Sequence, residues 1–509
     1  MSVFFRRSAG AAIAYAVATQ GAWADLTAND VWSDWKAYMG GMGYSISGGE
    51  STSGNVTTVS DMTMAMAIPD AEASFELIMP EVTFTENGDG TVAIGMPEQF
   101  PVSVNIAAEG EDPVKVVLDY TLTNMVMVVS GTPTDMTYTY SVEKNAVSLA
   151  SIEAEGETVP EGAVDVSFVL DALAGTSQMK IGDTMRDIAQ SMTAGNVTYD
   201  IAFDDPESDD AGNFSGSVAD VSYTGSGSIP NEINAADYSA FLNSGFKFDG
   251  AFSYKSGNGA MQGSGDGDQF AMSSKSTGGD FRFAMDSNHL LYDLSQSGAE
   301  ISVTVSELPF PIDLKMAKSG FKLDMPIQAG DAPQPFAFGM NLTDFTMSDM
   351  IWGMFDPAGA LPRDPATVAL DTSGTAKVLV DFLDPAVAET LEKTGAAPGE
   401  LNTLKINELL VSLVGAKLAG TGDFEFDNSN LEAFDGMPAP SGVANLEISG
   451  ANALIDKLIA MGFVSDQDAM GARMMMGLLA VPGDAPDTLK STIEINKQGH
   501  IVANGQRIK

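Results

Sequence analysis

Residues Leu404 to Phe426 read LKINELLVSLVGAKLAGTGDFEF, and the pattern turns on one glycine, Gly415. After it, Leu418, Gly420, Gly422, Phe424 and Phe426 fall on one face, while Lys417, Ala419, Thr421, Asp423, Glu425 and Asp427 fall on the other. A period of two with charge confined to one face is the signature of a β-strand wet on one side. The stretch therefore predicts two strands meeting at Gly415, with one apolar face that needs cover. Downstream, Val443 to Ser449 alternates in the same way, and Ala451 to Met461 takes up helical spacing. Sheet plus covering helix is the predicted unit.

Upstream, strand follows strand. Glu81 to Thr85 and Thr91 to Ile94 flank Asn87-Gly88-Asp89-Gly90, a strong hairpin signal. Val114 to Val129, Thr137 to Leu149, Val164 to Leu170, Val197 to Phe203 and Phe214 to Tyr223 continue the pattern. Ile181 to Met192 reads as a helical interruption, and Asp204 to Gly212 and Ser256 to Asp268 read as exposed loops. Thr27-Ala28-Asn29-Asp30 forms a capping box ahead of Val31, Trp32, Trp35, Tyr38 and Met39 at helical spacing. The order helix, glycine, extended chain returns at Asn234 to Tyr254 and at Ala451 to Val464. Either the architecture is internally duplicated, or short amphipathic helices resemble one another by chance.

Length and composition bound the class. A chain of 509 residues exceeds one ordinary core, so two domains or one sheet extended by repetition are expected. The apolar fraction of 44% is ample for a packed interior, and 52 glycines imply many turns and bulges. With 69 acidic against 25 basic residues the net charge is −44, a field that repels phosphate backbones, so no nucleic-acid partner is expected. Cysteine is absent, which removes thiolate metal sites, disulfides and thiol nucleophiles. The two histidines, His289 and His500, sit in turn-like sequences and read as solvated residues, not general bases. No calcium-loop spacing occurs, and no metal or cofactor is expected. Nothing in the sequence assembles a catalytic constellation, so the expectation is a protein that is not an enzyme.

Met1 to Ala24 carries Arg6 and Arg7, an apolar run and Ala22-Trp23-Ala24 before Asp25, the pattern of a cleaved secretory leader. A periplasmic protein that does not span the membrane is expected. Methionine numbers 29, and part of it is patterned: Met62, Met64 and Met66 share one face of a strand, as do Met125 and Met127, and Met474 to Met476 run together on a late helix. Flexible, polarizable side chains in stripes either fill an irregular core or line an adaptable groove for acyl chains.

The most distinctive text is Asp356-Pro357-Ala358-Gly359-Ala360-Leu361-Pro362-Arg363-Asp364-Pro365. Pro362 and Pro365 hold their predecessors extended, and Arg363 between Asp356 and Asp364 predicts a structural clasp of charge-assisted hydrogen bonds. On these residues the chain resembles the uncharacterised exported alphaproteobacterial family known as domain of unknown function 2125. That resemblance extends less sharply over nearly all of the remaining chain and carries no catalytic motif with it. The tail, Leu489 to Asn496, a turn at Lys497 to His500, then Ile501 to Ala503 and Asn504-Gly505, is similar to exported envelope proteins of the AsmA-like group. That likeness implies long amphipathic sheets and the handling of lipid.

The fold expected is mostly β, with long antiparallel sheets, an elongated outline and a few short covering helices; two compact sandwiches are the alternative. The expected organisation is a leader at 1–24, a β-rich half at 25–230 and a second at 231–509 with helices near 451–480. Two functions are expected from different classes. One is the binding of a hydrophobic or lipid ligand in a sheet groove, with Met62, Met64, Met66, Met125 and Met127 as candidates. The other is a structural or protein-interaction module of the envelope.

Overall fold

The computed structural model describes residues 25 to 508, apart from 69–72, 107–113, 155, 207, 233–242, 432, 433 and 435. The predicted leader at Met1 to Ala24 and the helical start of the middle repeat, with Tyr238, Phe241 and Leu242, lie outside the described residues. Within them the protein is mostly β and elongated, one long antiparallel sheet with five short helices.

The first strands are β1 (Ser45–Ser53), β2 (Val56–Ile68), β3 (Ala73–Glu86), β4 (Val92–Gly95), β5 (Gln99–Ile106), β6 (Val114–Thr123), β7 (Val126–Thr132), β8 (Asp135–Ala154) and β9 (Glu157–Thr158). The long central strands are β10 (Val164–Ile181), β11 (Met185–Asp204) and β12 (Ala211–Pro230). Then come β13 (Lys247–Tyr254), β14 (Ser256–Gly265), β15 (Asp268–Ser276), β16 (Gly278–Asp286), β17 (His289–Val305), β18 (Ile312–Pro326) and β19 (Gln334–Met347). The sheet ends with β20 (Ala366–Val378), β21 (Gly399–Leu413), β22 (Ala416–Asp427), β23 (Ala439–Ser449), β24 (Val481–Pro482), β25 (Thr488–Ile495), β26 (Ile501–Ala503) and β27 (Gln506–Arg507). Helices are α1 (Ala28–Gly41), α2 (Asp349–Phe355), α3 (Pro385–Thr394), α4 (Ala451–Ala460) and α5 (Asp466–Leu479). No helix among the described residues is long and apolar enough to cross a membrane.

Each strand bonds to neighbours close in sequence. The sheet runs β1–β2–β3, then splits into two tracks, β5–β6 and β4–β7, that rejoin on β8. From β8 it continues through β10, β11 and β12, where β13–β16 and β14–β15 again run as two tracks before meeting on β17. Pairing across β12, β13 and β14 carries the sheet past residue 230 without interruption. Beyond β17 the order is sequential to β23, and β25, β26 and β27 close the end.

A row of left-handed backbone crosses this sheet. Asp61 in β2 (φ 51°), Ala172 in β10 (53°), Asp220 in β12 (52°), Gly298 in β17 (58°) and Asp344 in β19 (53°) all lie inside strands. The pairing registers set Ala172 level with Gly195 of β11, and Gly195 level with Asp220. At this crease the alternation slips by one residue. Val59 and Met62, Leu170 and Leu173, and Val218 and Val221 share a face although each pair is three apart, while the register continues unshifted. Both partners slip at the same level, so apolar side chains keep to one face on either side. Left-handed backbone costs an L-residue roughly 1–2 kcal/mol, less for Asp, whose short side chain bonds locally. Three of the five crease positions named are Asp.

The apolar face runs from β2 to β26. At its start it is covered by α1, whose Thr27 cap and Asp30 reciprocate as predicted. Val31 and Trp32 of α1 are fully buried with Val59, Val82, Phe84, Val92 and Val129, and Trp35 meets Phe84 edge-on at 5.4 Å. Asp34 reaches Arg186 of β11, accepting Nη1 at 3.0 Å and Nη2 beside it, with both side chains buried. At the far end α4 packs on β22 and α5 on β25.

Three predicted elements need correction. Ile181 to Met192 is not a helix: Met185, Ile188 and Met192 have helical spacing, yet Ile188 and Met192 also fall with Arg186, Gln190 and Ala194 on one period-two face of β11. Ser256 to Asp268 is mostly strand β14, not a loop. Gly257 and Gly259 there leave floor space for the rings of Tyr254 and Tyr199, which a Cβ would meet at 3.2 Å and 3.4 Å. After Gly462 the chain enters α5, capped by Ser465, and does not return extended. The 52 glycines thus serve strand interiors as well as turns.

Candidate functional site

Where the two tracks between β3 and β8 part, the apolar face opens into a cavity of about 550 Å³. β3 supplies Phe75 and Leu77, β5 supplies Phe100 and Val102, and β6 supplies Leu118, Tyr120 and Leu122. From across the crease come Met125, Met127, Tyr140, Val142 and Leu173, with Asn145 and Val147 on the near side. The cavity therefore straddles the crease, and the phase slip lets both flanks present hydrocarbon to it.

Register explains the lining. Phe75 faces Val104, Leu77 faces Val102, Phe100 faces Tyr120 and Tyr120 faces Val147, so one cross-strand row after another adds an apolar pair. Phe100 and Tyr120 stack at 5.0 Å. Tyr140 lies opposite Gly175, where a Cβ would sit 2.7 Å from its Oη and 2.6 Å from the Ser191 carbonyl oxygen. Glycine at that point is what lets the ring lie down on the sheet.

Polar groups in the cavity wall are few and uncharged. Asn145 donates through Nδ2 to Tyr120 Oη at 2.9 Å. Burial pushes the Tyr140 hydroxyl above its ordinary pKa, so it stays protonated. Nearby, under α1, burial and then the Asp34 carboxylate raise Tyr138 far further.

The apolar face does not end with the cavity. Phe168, Ile201, Phe203, Phe214, Leu294, Phe321 and Met340 lie along it, each between 39% and 51% exposed. In the strands from β10 to β26 the charged side chains on that face are Arg186, which Asp34 neutralises, and Asp268 at the exposed start of β15. The opposite face carries the charge, as in Asp249, which takes two hydrogen bonds from Arg282 that hold its carboxyl below the usual range.

The predicted groove methionines divide. Met125 and Met127 line the cavity. Met62 is buried, with 2% exposure, in the core below α1, and Met64 packs against that core. Met66 lies opposite Phe75 and Met64 opposite Leu77, one strand behind the wall. Met474 and Met475 are exposed on α5. Phe75, Leu77, Phe100, Tyr120 and Tyr140 were not singled out in the sequence; the available signal was their alternation within predicted strands.

The predicted clasp exists with different partners. Arg363 pairs with Asp349 of α2 and lies over the Trp352 ring at 5.7 Å, not between Asp356 and Asp364. Asp356, with no accessible surface, accepts backbone amides from Ala360 at 2.8 Å and Leu361 at 2.9 Å. The Leu361 amide is the largest of the effects that lower its pKa. Pro357 and Pro365 flank the loop, and Pro362 packs close to Gly415, where a Cβ would meet its Cγ at 2.9 Å. This ties the loop to the hairpin of β21 and β22.

His289 starts β17, with Nδ1 2.7 Å from Asp324, so it meets a side-chain partner and is not merely solvated. His500 donates its backbone amide to Asn496 Oδ1. Among the described residues no group of three or more His, Asp or Glu is placed to hold a metal. No protein-family model, curated protein or solved structure matches the chain.

Proposed function

We propose that the protein holds the hydrocarbon part of a lipid or similar hydrophobic ligand against the apolar face of its sheet, with the cavity at Tyr120, Tyr140 and Met127 as the principal seat. One observation carries this: an open cavity of about 550 Å³ whose walls are almost wholly hydrocarbon. Ligand sites of this size are concave, mostly apolar and fitted with a few placed polar groups. Large exposed apolar patches are rare on proteins without a partner for them. The leader-like start supports an exported, periplasmic setting for this binding, and mature protein beginning at Asp25 is the expected result of N-terminal sequencing.

The test is a titration with the uncharged fluorophore Nile red, together with solvent extraction and mass spectrometry of native protein. Saturable binding is expected, and Met125→Asp with Met127→Asp should abolish it, because both side chains are only partly buried and a charge there spoils the wall without breaking the core. Met62→Leu, a near-isosteric change in the core, should leave binding intact. Absence of saturable binding and of extracted lipid would favour the structural-module reading instead.

A further inference from the structure

We infer that the cavity selects amphiphiles whose polar group near the acyl chain is uncharged, an ester, amide or hydroxyl, and discriminates against free carboxylates and phosphates; this rests on the binding reading above. Three polar side chains reach the cavity: Tyr120, Tyr140 and Asn145. Tyr120 Oη already accepts the Asn145 amide, so its own O–H is left to donate. Among the described residues the Tyr140 hydroxyl meets no hydrogen-bond partner, and it too can donate. Asn145 Oδ1 is an acceptor beside Tyr120, while Tyr140 lies five residues away along β8 and over Gly175. The hydroxyl donor of Tyr120 and the amide acceptor of Asn145 match a carbonyl or hydroxyl oxygen on a chain otherwise surrounded by Leu, Val, Met and Phe, and the Tyr140 hydroxyl offers a second donor further along the cavity.

An ionised headgroup would meet no such complement. No charged side chain lines the cavity. Arg186, a cation on the same face, is already engaged by both oxygens of Asp34. The chain's net charge of −44 adds a repulsive field. Burying an anion without a cation or full hydrogen bonding is disfavoured far more than burying an ester.

Competition against bound Nile red tests this with methyl palmitate, 1-hexadecanol, palmitate and hexadecane, above the carboxylate pKa. The ester and alcohol should compete at least about tenfold better than ionised palmitate. Lowering the pH until palmitate protonates should restore its competition. Tyr120→Phe with Tyr140→Phe, a pair that keeps the rings, should erase the advantage of hexadecanol over hexadecane while Nile red still binds; melting temperature checks the fold. Equal competition by ionised palmitate would overturn the inference and leave the binding reading standing. So would an undiminished hexadecanol advantage in the double variant. If Nile red does not bind the wild type, both fall together.

Discussion

Single residues set the limits of this architecture where they break its rules. Arg186 and Asp34 place two charges in the most apolar region of the molecule, and burial makes each the other's requirement. Removing one partner leaves an uncompensated charge, so Arg186→Met should lower unfolding free energy by about 3–5 kcal/mol. Arg186→Met with Asp34→Leu should recover most of that loss, as buried pairs replaced by packed hydrophobes often do. A denaturation double-mutant cycle checks this; a double variant as damaged as the sum of the singles would mean that the pair is not coupled. Asp356 is governed by backbone amides, led by Leu361, which hold its folded pKa below the unfolded value. Its stabilising contribution is therefore full above the unfolded carboxylate range and is lost as pH falls through the folded pKa. Asp356→Asn should melt earlier than wild type at neutral pH, and the gap should close in acid. Melting curves across pH would show a constant gap if the amides did not favour the charged form.

At the scale of elements, the hairpin at Gly415 was legible because its two faces differ in charge as well as hydropathy. The structure pairs Phe424 with Leu404 on one side and Gly442 on the other, while Asp423 and Glu425 are exposed. Phe424→Asp should therefore cost about 2 kcal/mol or more, and Glu425→Lys close to nothing. Thermal melts showing equal effects would mean that the face is wrongly assigned. The Asn87 to Gly90 hairpin, the Thr27 cap and α4 were equally readable, since each depends on residues adjacent in sequence. The crease was not. It appears in any one strand as a lapse in alternation, and only pairing between strands shows that the lapses at Asp61, Ala172 and Asp220 are coordinated. β11 mimicked a helix because Met185, Ile188 and Met192 also fit helical spacing, and β14 mimicked a loop because its glycines lie beneath side chains of nearby strands. The cavity was half legible: Met125 and Met127 stood out as a stripe, but the aromatic wall belongs to strands brought together by the split between β3 and β8.

Across the whole molecule, a net charge of −44 is carried by a sheet that keeps its central and C-terminal apolar face nearly free of charge. Charge and hydrocarbon are thus assigned to opposite faces. α1 covers one end of the apolar face, while Leu294, Phe321 and Met340 remain substantially exposed further along. The near-sequential order of the strands has a mechanical meaning as well. Each strand grips chiefly its two neighbours, so cohesion is a sum of local interfaces, as in repeat proteins. Tension applied to the two ends of such a chain would not shear the sheet at once. It would peel hairpins from the edges inward, in many small steps, with β10, β11 and β12, the long strands at the middle, the last to let go.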